Sequence, residues 1–381
     1  MSNTTYIIYK FIQRLRGRFL FSETLPRYAT LEEKKRAQDI LDTDFVQKYL
    51  NNKLPLVLPD FIELLHLERR VYKKSLGKYN TACVVRYRFT YAATDNIEKT
   101  KDLIFSSGTD GSRKISYRGL RWLHKQNFNH NDQYKIVDVL DFLPEQSCLI
   151  YWSATGKNLL YYVTQRHPNL TVLIELSAGW LKKIHGLTVP PNGPVKLHFI
   201  QHMIPRPSWF CYRLSNVFPA WGKRVTKLVH QQISLEKKLQ KRATTQTVIY
   251  GDYHPENIIF RDPNVKRVKV IDFTDLSLGL AERDLGTFIQ QFAFMSRLFL
   301  PRDERYRLKR VFLEKYFGRS YYDLPTEVFE KINLYQSWTA LRSASFLFFS
   351  GGDQRLVFEL IHDSERYMDN VLRKKRTINI K

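Results

Sequence analysis

Cysteine is scarce in this chain. Its 381 residues hold three, Cys83, Cys148 and Cys211, far apart and with no C-x-x-C pair. That argues against a zinc site or a dithiol redox motif and suits a reducing, cytoplasmic setting. Cys83 and Cys148 read as small core hydrophobes. Long apolar runs are also missing: no stretch of 18 or more apolar residues occurs, so no membrane-spanning helix is expected. The opening "MSNTTYIIYKFIQRLRGRFLF" is not a secretory signal, because Lys10, Arg14 and Arg16 break its short apolar run. Acidic residues are few, 37 against 61 Lys plus Arg, which leaves a net charge of +24. Such a charge attracts anions of many kinds, from nucleotides to nucleic acid and anionic lipid. The basic residues are spread along the chain, and no helix-turn-helix, RRM or zinc signature accompanies them, so a nucleic-acid-binding role rests on charge alone.

What is present is material for a core. Hydrophobic residues make up 43% and aromatics 14% of the chain, enough for two packed units or one large two-lobed domain. Residues 1–65 read as a helical extension. Ile7, Ile8, Phe11, Ile12 and Leu15 recur at helical spacing among basic residues, which suits a helix docked on the body or, as the sharper alternative for residues 5–21, one lying on a membrane surface. "TLEE" at Thr30–Glu33 has the form of a capping box. From about residue 79 the character changes. "CVVRYRFTY" and "KDLIFSS" read as strands around the turn "AATDN", "KISYRGLRWLHKQ" as a helix, and "YKIVDVLDFLPEQSCLIYWSA" as two further strands. Beyond Ser153 most segments are helical. The expected fold is α+β: a small mixed-sheet lobe over 66–152 followed by a large helical lobe over 153–381. His185, ending "LKKIHGL", reads as a C-terminal helix residue complementing the dipole.

Acidic residues gather in one place, "YGDYHPENIIFRDPNVKRVKVIDFTD", residues 250–275. "ENIIF" and "VKRVKVI" are strand-like, and "RDPN" between them has turn chemistry. An antiparallel hairpin would bring Asn257 and Asp272 to one open end, ~5 Å apart. An amide oxygen and a carboxylate that close can share a hard cation, and Mg2+ prefers a few oxygen ligands plus substrate phosphates. Asp252 precedes Asn257 with the D-x-x-x-x-N spacing of the protein-kinase catalytic loop, and "IDF" follows as the second metal element. Transfer of a phosphoryl group needs this set. A carboxylate, Asp252, orients the acceptor hydroxyl and takes its proton while a metal neutralises phosphate charge.

"YGDYHPENIIF", "VIDFTD" and "GLAERDLGTFIQQF" together resemble the aminoglycoside phosphotransferase and choline-kinase-like family of the protein-kinase-like superfamily. The resemblance implies a two-lobed kinase-like fold and transfer of a phosphoryl group from ATP, or another nucleoside triphosphate, to a small molecule. It implies Asp252 as catalytic base, Asn257 and Asp272 as Mg2+ ligands, and His254 and Asp284 as supports of the loop. It also implies that backbone at Ile150, Tyr151, Trp152 and Ser153 meets the base of the nucleotide. Tyr250 replaces the usual first His of the motif.

The small lobe departs from that family. Where a strand Lys would grip the phosphates, "DLIFSSGTDG" offers Ser106 or Ser107. Where a helix Glu would pair with it, "YRGLRWL" offers Arg118 and Gly119. The segment "SLGKYNTACVV" has one glycine, Gly77, in place of a Gly-rich loop. Lys101, Lys114 and Arg86 are candidates for the missing cation. The alternative to a kinase is therefore a pseudokinase that binds a nucleotide or metabolite without transfer. The charge balance favours an anionic or neutral acceptor over a polycation.

Overall fold

The computed structural model describes residues 29–379 except 77–80, 131–132, 190–192, 194, 203–205, 243–245 and 265. The basic stripe within 5–21 and Gly77 lie outside the described residues. Among the described residues, no helix is long and apolar enough to cross a membrane.

Thr30 starts helix α1 (Leu31–Arg36) as a capping box. Its hydroxyl accepts the Glu33 N–H at 3.0 Å, and the Glu33 carboxylate accepts the Thr30 N–H at 2.8 Å. Helix α2 (Thr43–Val57) follows, with Val46, Leu50 and Leu54 as its buried stripe. That stripe needs an apolar partner, and a five-stranded sheet supplies it. The sheet contains β1 (Phe61–Leu76), β2 (Thr81–Ala93), β3 (Glu98–Gly108), β5 (Val139–Leu143) and β6 (Cys148–Trp152), in the order β1-β2-β3-β6-β5. Every pairing in it is antiparallel. The sheet begins at Phe61, inside the stretch expected to be helical.

Strand alternation gives the sheet two unlike faces. Tyr87, Phe89, Tyr91, Leu103, Phe105 and Ile150 pack against α2. Hydroxyls pin that contact: Tyr87 donates to the Ile40 carbonyl and Ser107 to the Ala37 carbonyl. The opposite face carries Arg86, Ile104, Ser106, Leu149 and Tyr151, and helix α3 (Ser112–Lys125) packs across part of it through Leu120 and Leu123.

The segment expected to form two strands forms three. Its first piece, β4 (Tyr134–Ile136), leaves the sheet and pairs in parallel with β10 (Val268–Val270) in the helical lobe. The Asn129 side chain brackets Ile136, accepting its N–H at 2.8 Å and donating to its carbonyl at 3.2 Å, so β4 is completed on one side by a side chain. β9 (Ile258–Phe260) and β7 (Lys157–Asn158) complete that second sheet in the order β4-β10-β9-β7. A two-stranded ribbon joins β8 (Thr247–Ile249) to β11 (Ser277–Gly279).

The helices of this lobe are α4 (Leu159–Thr164), α5 (Leu170–His185), α6 (Pro207–Val217), α7 (Pro219–Arg242), α8 (Glu282–Met295), α9 (Arg302–Phe317), α10 (Thr326–Ser350) and α11 (Gln354–Leu372). One core gathers α5, α8, α9 and the short strands; a second gathers α6, α7, α10 and α11. Helices α8 and α10 meet closely at Gly286, where a Cβ would lie 2.7 Å from the Ile332 carbonyl oxygen and 2.9 Å from the Gln336 nitrogen. Further along, the Thr287 and Thr339 hydroxyls are 3.2 Å apart, and Gln291 donates to Ser343 at 2.6 Å. A methyl group at Gly286 would have to push the two backbones apart. Gly286→Ala is expected to lower stability by about 1–3 kcal/mol in urea denaturation; a loss under ~0.5 kcal/mol would mean the helices are free to slide.

Candidate active site

The loop 250–257 is built around a buried carboxylate. Asp284 lies in the first turn of α8 and is fully buried. It accepts the Tyr250 N–H at 2.6 Å on one oxygen and the Gly251 N–H at 2.7 Å on the other. His185 Nε2 lies 3.0 Å from the first oxygen, and its Nδ1 is 2.7 Å from the Tyr316 hydroxyl. His185 is thus more than a dipole partner at the end of α5: the helix delivers its ring into the gap between α8 and α9. Gly251 has φ +90, and a Cβ there would collide with the Asp275 carbonyl, so only glycine makes this turn without strain.

Aromatic rings floor the loop. Tyr253 stacks on Trp180 at 5.5 Å and 8°, and its hydroxyl donates to the Ser177 carbonyl. Tyr250 meets Trp180 and Phe273 edge-on. Its hydroxyl donates to the Ile271 carbonyl. The residue that stands in place of the motif's usual His therefore ties the loop to the strand leading to Asp272.

His254 caps the short turn Pro255–Asn257 through Nδ1, which accepts the Glu256 N–H at 3.3 Å. The Asn257 amide nitrogen donates to the Asp252 carbonyl at 3.2 Å and lies 3.0 Å from His254 Nε2. Among the described residues, the Asn257 amide oxygen takes no hydrogen bond. The hairpin register is offset by one from direct opposition. Ile258 pairs with Val270, and the Ile271 N–H donates to the Asn257 carbonyl at 3.1 Å, so Asp272 is the first residue beyond the ladder. Asp272 has φ +60, a left-handed conformation that costs a residue with a Cβ about 1–2 kcal/mol. Its side chain is exposed and has no hydrogen bond or ion pair among the described residues. An amide oxygen and a carboxylate, both free at the open end of one hairpin, make an oxygen donor set that suits Mg2+. No group of three or more His, Cys, Asp or Glu among the described residues is arranged to hold a metal.

Asp252 is held from a distant helix. Arg342 of α10 donates to Asp252 Oδ1 and to Asp275 Oδ2, each at 2.9 Å. The other oxygen of Asp252 accepts no hydrogen bond among the described residues; His254 Nε2 is 3.7 Å from it. Burial alone would push the Asp252 carboxyl up, but the Arg342 guanidinium and then His254 outweigh it and hold Asp252 below the usual carboxylate range. Asp275, sharing the same cation, is pushed up by burial and by the charge of Asp252. Arg283 adds charge to both from a buried position, where it donates to the His198 carbonyl at 3.0 Å. Arg342 lies outside the motif stretches, and Asp275, though it ends "VIDFTD", has no role assigned by the sequence.

On the small-lobe side, strand parity sorts the candidates. Ser106 lies on the face shared with α3, and Ser107 on the α2 face. Lys101 falls on the α2 face, 5.3 Å over the Trp152 ring. Lys114 is exposed on α3, as is Arg118. Gly119 packs directly on Leu276, just beyond Asp272 in the chain. Arg86 is on the Ser106 face, 4.0 Å from Glu68, with a buried Nε that has no partner among the described residues. Of the four residues expected at the base, Ile150 is buried against α2. Tyr151 faces the other side, its hydroxyl pushed up by burial and by the Asp272 charge. The Trp152 and Ser153 N–H groups already donate to the Asp138 and Asp102 carbonyls, at 2.9 and 3.0 Å.

Removing Arg342 would leave two partly buried carboxylates facing each other. Arg342→Met is expected to cost about 1–3 kcal/mol in stability, below the range for fully buried pairs because the side chains keep some solvent. In a double-mutant cycle with Asp275→Asn, a coupling above ~1 kcal/mol is expected; additive losses would mean the bridge contributes nothing.

The profile of the phosphotransferase enzyme family matches residues 121–323, just over half of the chain. A search of curated protein sequences finds no match. Among solved structures, Plasmodium vivax ethanolamine kinase has a TM-score of 0.54 at 14% identity, covering 93% of this chain and 96% of that one. The gentamicin complex of the aminoglycoside phosphotransferase APH(2″)-IIa has a TM-score of 0.53 at 14% identity, covering 85% and 96%. The amicoumacin kinase hAmiN in complex with AMP-PNP, Ca2+ and Ami has a TM-score of 0.52 at 12% identity, covering 90% and 96%. At such identities the likeness shows the fold, a two-lobed kinase-like one with an antiparallel small-lobe sheet. With the profile match running through residues 250–257 and the "VIDFTD" stretch, the protein belongs to the phosphotransferase enzyme family and is a kinase by class.

Proposed function

We propose that this protein moves the γ-phosphoryl group of ATP, or another nucleoside triphosphate, to a hydroxyl of a small molecule. The reading rests above all on one observation. Asp252 has one oxygen held by Arg342 and the other free of hydrogen bonds, while the Asn257 amide oxygen and the Asp272 carboxylate are also free among the described residues. Such a set fits a base beside a metal-phosphate site. Solved relatives of the fold bound to ATP and to ADP lend support to a nucleotide co-substrate. The lobes would join near Ser153, with residues up to Trp152 covering the nucleotide.

In this reading Asn257 and Asp272 hold Mg2+, which would neutralise charge on the phosphates. Asp252 orients the acceptor hydroxyl and receives its proton as that oxygen bonds to the γ-phosphorus and the bond to the nucleoside diphosphate breaks. Arg342 keeps Asp252 ionised and fixes its rotamer. Asp284 holds the two N–H groups that set the loop, and His254 spaces Asp252 from Asn257. The net charge of +24 argues against a polycation such as gentamicin as acceptor and for an anionic or neutral one. The second reading, nucleotide binding without transfer, is favoured by Ser106 standing on the face where a phosphate-gripping Lys would be.

Two variants separate the roles. Asp272→Asn removes a charged metal ligand, so Mg·nucleotide binding and turnover should both fall. Asp252→Asn keeps the shape and the metal donors but removes the base, so turnover should drop by about 10² or more with nucleotide affinity near wild type. Nucleotide titration with and without Mg2+, beside turnover across a library of hydroxyl-bearing metabolites, measures both. Equal loss of binding in the two variants would make the carboxylates one structural cluster. Unchanged turnover in both would end the kinase reading.

A further inference from the structure

We infer that Arg113, in the first turn of α3, grips the phosphates of the nucleotide in place of a lysine on β3. The inference rests on the nucleotide-binding reading above. Arg113 heads the inward stripe of α3 that continues through Ser116, Leu120 and Leu123. A guanidinium at the head of a packing stripe is out of character there, and it is 8% exposed. Its Nε is buried and has no partner among the described residues. Among the described residues its one hydrogen bond is from Nη1 to the neighbouring Ser112 hydroxyl at 3.0 Å. Asp110 is reached only through that same hydroxyl, which it accepts at 2.6 Å. Among the described residues Arg113 has no carboxylate within ion-pair distance. A buried cation left this way costs stability unless an anion arrives.

Position points to which anion. Arg113 lies against the end of β3 at Gly108, where a Cβ would stand 3.7 Å from its Cζ. Gly108 is on the same strand face as Ser106, the face that carries Tyr151. The charges of Arg113 and of Asp272 both reach the Tyr151 hydroxyl. Arg86 shares that face but sits opposite Ile104, four residues from Gly108 toward the lobe junction, and has Glu68 beside it. Lys101 and Lys114 point elsewhere. A planar fork of donors also suits phosphate oxygens better than a point charge does.

The test compares binding of a nucleoside with that of its triphosphate, ATP with adenosine and GTP with guanosine, by calorimetry in Mg2+ on the full chain. Arg113→Met should bind the triphosphate about 10- to 100-fold more weakly than wild type, the range for a hydrogen bond to a charged group. Its affinity for the nucleoside should not change. Arg113→Lys, which keeps the charge, should lose less than tenfold, and Lys114→Ala, next door but exposed, less than twofold. Arg113→Gln serves the same comparison if the Met variant does not fold. Unchanged triphosphate affinity in the neutral variants would overturn the assignment. So would a parallel loss for nucleoside and triphosphate, which would mark a packing role, or an equal loss in Lys114→Ala, which would mark diffuse surface charge. A wild-type protein that binds neither nucleoside nor triphosphate would overturn the phosphotransfer reading, and this inference with it.

Discussion

One buried carboxylate organises the site. Asp284 accepts two successive backbone N–H groups, from Tyr250 and Gly251, and faces His185 on the same side. A carboxylate with no access to water is tolerable only if its donors are in place. Hydrogen bonds to a charged group contribute about 1.5–3 kcal/mol each, so any other loop conformation would strand both the charge and the donors. With those two N–H groups fixed, the turn at Gly251 has to follow, and Asp252 is carried to the side that faces α10. The same helix that bears Asp284 meets α10 at Gly286, and that close approach brings Arg342 within reach of Asp252. Anchor, turn and bridge form one mechanical unit, built from residues that lie far apart in the chain.

Electrostatics in this region run against the rest of the molecule. A chain of net charge +24 gathers Asp252, Asp272 and Asp275 around one hairpin. Arg342 and Arg283 offset two of them, and Asp272 is left over, exposed and in a strained backbone conformation. A polar side chain held in strain with no partner is expected where a ligand supplies the partner. On the small-lobe side the imbalance is the reverse: among the described residues, Arg113 and Arg86 each carry a buried nitrogen with no hydrogen-bond partner. In the function proposed above, the first group would hold the metal ion and the second the phosphates.

The part of this site legible in the sequence was the local part. The hairpin, its turn and the placing of Asp252, Asn257 and Asp272 follow from spacing within a single stretch, and only the register was out by one, because Ile271 rather than Asp272 faces Asn257. The capping box at Thr30 was equally local. Contacts between remote segments were not legible. Arg342 is 90 residues from Asp252, on a helix whose aromatic run suggests core packing and nothing else. His185 gave the signal of an ordinary helix end. β1 was missed because its side chains are mostly exposed and three register irregularities break the alternation that marks a strand. β4 was read as part of one sheet because three residues are too few to announce a change of partner. Arg113 sits where the helix pattern calls for an apolar residue, and that mismatch was the one available hint of the role inferred for it.

The most direct measurement is a crystal structure of the full chain grown with Mg2+ and a non-hydrolysable nucleoside triphosphate. The account expects one Mg2+ coordinated by the Asn257 amide oxygen and the Asp272 carboxylate at about 2.0–2.1 Å, with Asp284 still holding the Tyr250 and Gly251 N–H groups and one oxygen of Asp252 facing the γ-phosphate side of the cleft. A nucleotide bound with its metal away from both residues, or a loop that has let go of Asp284 to admit it, would contradict the account.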